Sequence, residues 1–98
     1  MITDLLMPGK ANAIPRSELV TVSGLPDRQV REQLEQARMA GMLICNDQDG
    51  RGYYLAETRE EAAAQFKRDY ARALSLLARM KPFREALSVA DGQLSIEL

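Results

Sequence analysis

The chain has 98 residues, 13 basic against 14 acidic, for a formal net charge of −1, with one cysteine and no histidine. That length suits one small domain, or one domain with an extension, and the near-neutral balance means that any polyanion contact must come from local clustering. The lone Cys45 excludes an internal disulfide framework, and without histidine the ordinary zinc sites lack ligands. No apolar run reaches the roughly 18–20 residues a bilayer span needs. The opening Met1–Met7 stretch has neither the charge nor the length of a signal peptide. The expectation is a soluble cytoplasmic protein.

Residues 1–7 read as a short helix with Ile2, Leu5 and Leu6 on one face, stopped by Pro8-Gly9. Residues 8–14 read as a loop carrying Lys10. The next helix is expected from Pro15 or Arg16 to Ser23, with Leu19, Val20 and Val22 on its buried side, since proline suits a first helical turn. Gly24 falls where the chain must turn sharply, a place for positive φ. Leu25 is expected to plug the gap between this helix and the next. That third helix spans about Pro26 to Ala40: Val30, Leu34 and Ala37 form its inward stripe, and Arg28, Glu32, Glu35 and Met39 lie opposite, with Gln29 and Arg31 on the flanks. Gly41 ends it. Met42–Cys45 and Tyr53–Ala56 read as paired strands joined by a glycine-containing loop, with Tyr53 and Leu55 on the core face.

Thr58 and Glu61 form a capping-box pattern that opens a long helix over about Arg59 to Lys81, which Pro82 is expected to kink or end, with Phe83 to Val89 as one more turn or two. Phe66, Tyr70, Ala73, Leu77 and Met80 step by 4, 3, 4 and 3, the spacing of a coiled-coil seam. The stripe fits either packing back on the preceding elements or pairing with a second copy. Between residues 62 and 84 this helix carries Lys67, Arg68, Arg72, Arg79, Lys81 and Arg84 against Asp69 alone, so its polar side is basic and suits phosphate.

Helix, turn, helix and glycine-tipped hairpin, with Gly24-Leu25-Pro26-Asp27-Arg28-Gln29-Val30-Arg31 at the turn and Gly50-Arg51-Gly52 at the tip, resemble the winged helix-turn-helix family over roughly residues 1–57. The likeness is to small bacterial and prophage DNA-binding domains of the biotin-operon-repressor type. It implies that the third helix enters the major groove of double-stranded DNA with the hairpin beside it. Arg28, Gln29 and Arg31 are then candidates for base edges and backbone, Arg51 for the wing contact, and Lys10 and Arg16 for phosphates. Asp27 and Glu35 depart from the Arg/Ser/Thr-rich helices of that family, and Asp47 and Asp49 partly offset Arg51. In the same family an appended helix commonly makes the dimer, which favours a homodimer through Phe66, Tyr70, Ala73, Leu77 and Met80.

The tail Gln93-Leu94-Ser95-Ile96-Glu97-Leu98 resembles the peptide by which bacterial replication proteins dock on the sliding clamp, with Gln93, Ile96 and Leu98 at its anchoring positions. A frayed end or an added strand fits the same residues. Catalysis finds no support: Cys45 and the serines have no histidine to activate them, and Gly50-x-Gly52 is too short for a nucleotide fingerprint. The expectation is an α+β winged helix-turn-helix (1–57) with a long C-terminal helix (58–90) and a flexible tail (91–98). It needs no metal or cofactor, and acts as a non-enzymatic DNA-binding protein in transcriptional regulation or in phage or plasmid replication. The alternative is a protein-interaction winged helix in a replication assembly.

Overall fold

The computed structural model describes residues 1–87 and is α+β. Its elements are α1 (Arg16–Ser23), α2 (Asp27–Met39), β1 (Ile44–Asn46), β2 (Tyr53–Leu55) and α3 (Arg59–Leu87), with 3₁₀ turns at Ile2–Leu5 and Lys10–Asn12. β1 and β2 are antiparallel, with Cys45 opposite Tyr54. The chain divides within α3 into two units, Met1–Phe66 and a second that begins at Lys67.

In the first unit the α2 stripe of Val30, Leu34 and Ala37 is buried together with Leu19 of α1, Ile44 and Tyr53 of the hairpin, and Ile2 and Leu6 from the start of the chain. The first segment is thus a 3₁₀ turn rather than an α-helix, and it still delivers its apolar side chains to the core. Two assignments on α1 shift. Pro15 caps the helix from outside in extended geometry, and Val22 is 58% exposed rather than buried, because it lies roughly 110° around the helix from the face that Leu19 and Val20 centre. Gly24 stands at φ 74°, donates its N–H to the Val20 carbonyl at 2.9 Å, and so closes α1. Pro26 then bars a helical residue before it. Leu25 packs between the helices, and α2 starts one residue later.

α2 ends in a Schellman turn. The Met42 N–H returns to the Ala37 carbonyl and the Gly41 N–H to that of Arg38, both at 3.0 Å, with Gly41 at φ 108°. This use of Met42 delays β1 to Ile44, two residues beyond the expected start. Residues 8–14 are more than a loop. Ile14 and Tyr53 exchange both backbone hydrogen bonds, at 2.9 and 2.8 Å, while the Leu55 N–H donates to the Met7 carbonyl and the Gly9 N–H to that of Leu55. β2 is therefore paired along both edges, so its backbone groups have few left to satisfy. This close approach leaves Gly52 (φ 105°) pressed against the Ile14 carbonyl.

Both faces of the hairpin are covered. Tyr53 and Leu55 meet the core, and on the other side Tyr54 and Cys45 are almost wholly buried. The first turns of α3 attach here: the Asn46 N–H donates to Gln65 Oε1 at 2.8 Å, and the Cys45 thiol lies 3.8 Å from the Glu61 carbonyl oxygen. The Tyr54 hydroxyl donates to Asp47 at 2.6 Å, and burial pushes its pKa upward.

The cap of α3 is half as expected. The Glu61 N–H donates to Thr58 Oγ1, but the Glu61 carboxylate accepts from the N–H of Glu57 at 2.8 Å and of Lys10 at 3.0 Å. One carboxylate thereby ties residue 10 to the start of α3. These backbone donors hold its pKa below the ordinary value of 4.5. A depressed folded pKa contributes stability above the unfolded value and loses it as pH falls through the folded one. Thermal melts between pH 7 and 3 should therefore show Glu61→Gln less stable than the parent at neutral pH, with the gap closing below about pH 4.5. Parallel curves would defeat this assignment.

In the second unit α3 runs through Pro82 to Leu87 and does not end near Lys81. A proline in a helix interior costs about 3 kcal/mol. Good helix formers follow it at Arg84, Glu85, Ala86 and Leu87, and the Lys81–Glu85 pair at 4.0 Å spans the proline.

Candidate nucleic-acid interface

α1 and α2 meet at their N-terminal ends. Asp27, the first residue of α2, accepts from Arg16 Nε at 2.7 Å and lies 3.3 Å from Arg31 Nε one turn further on. A carboxylate at this position also suits the positive end of the helix dipole. Arg16 is held above its usual range by the Tyr53 hydroxyl first and by Asp27 second. Arg28 is the most exposed cation of α2, its side chain 85% accessible, and pairs along the helix with Glu32 at 3.1 Å. Gln29 is exposed beside it.

A second cluster forms at the hairpin. Lys10 Nζ lies 2.9 Å from Asp47 and 3.5 Å from Asp49, and these carboxylates raise its pKa, Asp47 foremost. Asp49 accepts from the Arg51 backbone N–H at 3.1 Å and pairs with the Arg51 guanidinium at 3.7 Å. The Arg51 N–H, then Lys10, hold its carboxyl below the ordinary range. A shallow depression lined by Pro15, Arg16, Asn46, Gln48, Gly50, Gly52 and Tyr53 joins the start of α1 to the hairpin loop.

The structure thus gathers the sequence candidates into two groups, Arg16 with Arg31 around Asp27 and Lys10 with Arg51 around Asp49, and gives Arg28 a partner of its own. All five cations are in ion pairs. The pairs are surface-exposed, and such pairs are weak, screened by salt and readily exchanged. Two polar residues that α2 carries toward the core side are structural. Gln33 Oε1 accepts the Ile2 N–H at 3.1 Å, and Arg38 donates to the Ile44 carbonyl at 3.3 Å while lying 5.8 Å from the Tyr53 ring centroid.

The seam positions of α3 are exposed: Phe66, Tyr70 and Ala73, then Leu77 at 53% and Met80 at 50%. Leu74, Leu76 and Phe83, absent from the simple 4-3 pattern, are exposed too and widen the apolar face. Gln93, Ile96 and Leu98 lie outside the described residues. Among the described residues no three His, Cys, Asp or Glu side chains are placed to hold a metal ion, and no helix is long and apolar enough to cross a membrane. No family model matches the chain, and neither a curated protein nor a solved structure matches it.

Proposed function

We propose that the chain is a winged helix-turn-helix protein that binds double-stranded DNA as a homodimer, in control of transcription or in phage or plasmid replication. The observation that carries this reading is the setting of α2. Its Val30–Leu34–Ala37 stripe is locked into the core, and α1 braces it through the Gly24–Pro26 turn. Arg28, Gln29 and Arg31 are left facing solvent at its N-terminal end. In the major groove Arg28 and Gln29 take base edges, where arginine suits guanine and glutamine suits adenine. Arg31 and Arg16 exchange Asp27 for phosphate, and Arg51 does the same with Asp49 from the hairpin tip. Pairing of the α3 seam accounts for the dimer, since a contiguous exposed apolar patch beyond a few hundred Å² marks an interaction surface.

Because Asp27 competes with phosphate for two arginines, Asp27→Asn should tighten duplex binding about tenfold in a fluorescence-anisotropy titration at 100 mM salt, roughly 1.4 kcal/mol. Affinity of the parent chain should fall steeply between about 50 and 200 mM salt as counterions are released. Failure of both proteins to bind any duplex at low salt would overturn the reading. The second reading, a protein-interaction winged helix of a replication assembly, draws on one observation. Each candidate cation of the first unit already has a carboxylate partner, and residues 1–57 carry six basic against eight acidic residues. A peptide of residues 90–98 binding the sliding clamp would favour it.

A further inference from the structure

Arg72 and Arg79 of α3 are set differently from the candidate cations of the first unit. Arg68, Arg72, Ser75 and Arg79 step by 4, 3 and 4 and share one line of the helix. At about 1.5 Å rise per residue the line is roughly 16 Å long. Ala73, Leu77 and Met80 stand on the roughly opposite side, so a partner helix can cover the seam and leave Arg72, Ser75 and Arg79 open to solvent. The only carboxylates in α3 beyond Glu61 are Asp69 and Glu85, both off the line. Among the described residues Arg72 and Arg79 have no carboxylate partner, whereas Lys10, Arg16, Arg28, Arg31 and Arg51 all have one. All three cations are arginine, whose planar fork grips phosphate with paired hydrogen bonds, and Ser75 adds a hydroxyl between them.

We infer that Arg72 and Arg79, with Ser75 between them, form a track for the phosphate backbone of duplex DNA and supply the main sequence-independent part of its affinity. This rests on the DNA-binding reading above. Arg72 and Arg79, which have no carboxylate partner among the described residues, have no ion pair to give up when they meet phosphate.

The test compares the full chain with Arg72→Gln/Arg79→Gln on two duplexes of unrelated sequence, titrated from 50 to 200 mM KCl. Each lost phosphate contact should reduce the slope of log affinity against log salt by about 0.9. The double variant should therefore show a slope smaller by roughly 2 per chain, an equal loss of at least tenfold on both duplexes, and an unchanged mass by light scattering. Arg72→Lys/Arg79→Lys should restore most of the slope. An unchanged slope while the parent binds duplex overturns the track alone. Absence of duplex binding by the parent overturns the DNA-binding reading with it. A variant that loses binding to phosphatidylserine vesicles but keeps duplex binding assigns the stripe to a lipid surface and also overturns the track.

Discussion

Gly52→Ala should lower the melting temperature by well over 10 °C, while Gly50→Ala, two residues away, lowers it about half as much. Both glycines have positive φ, at 105° and 87°, and a side chain in that region costs on the order of 1–2 kcal/mol. They differ in what a methyl group would meet. At Gly50 nothing lies within 4 Å, but at Gly52 the added carbon would sit inside contact distance of the Ile14 carbonyl and the Pro15 backbone. Relief requires moving residue 14 away from β2, which breaks the paired Ile14–Tyr53 hydrogen bonds and unseats Tyr53 from the core. A total near 3–4 kcal/mol is a large share of what a domain of this size has, and each kcal/mol moves the midpoint by about 4–8 °C. Circular dichroism melts of the two variants decide it. Equal shifts would show that the contact between residues 14 and 52 carries no weight.

Leu77→Asp should convert a dimer into a monomer with helix content unchanged. Leu77 is half exposed in the single chain, so a carboxylate there stays hydrated and the fold tolerates it. In a dimer the same position is central to the seam, and an unpaired buried charge costs several kcal/mol. Loss of about 4 kcal/mol is roughly a thousandfold in dissociation constant. Light scattering at micromolar concentration should then give one chain for Leu77→Asp and two for the parent. Ala71→Asp, on the polar side of the same helix, should remain at two. A parent mass of one chain at every concentration would exclude this interface.

What was legible in the sequence was local. The α2 stripe, the Gly24 turn and the Gly41 stop follow from periodicity and from the backbone freedom of glycine, and each stands in the structure within a residue or so. What was not legible depends on partners distant in the chain. Residues 8 and 14 pair with β2 without any alternating pattern of their own, so they read as loop. Alternation marks Tyr53 and Leu55 as the core face, but the strand pattern does not show that the start of α3 covers Tyr54 and Cys45 on the other side. The further turns after Pro82 were legible, and the strong helix formers there carry α3 on to Leu87 as one element. At the candidate interface the Arg28–Glu32 and Asp27–Arg31 spacings were readable as helix neighbours. The reach of Arg16 to Asp27 and of Lys10 to Asp47 was not, since it needs the turn and the hairpin in place.

The burial of Cys45 gives the protein an internal reporter. The residue is 1% exposed, lies under the first turns of α3, and is the one cysteine of the chain. An alkylating reagent reaches it only when α3 lifts from the hairpin or the whole unit opens. The labelling rate in native buffer therefore measures the free energy of that opening. A rate matching global unfolding would mean that helix and hairpin separate only together with the core. A faster one would mean that the start of α3 peels away on its own.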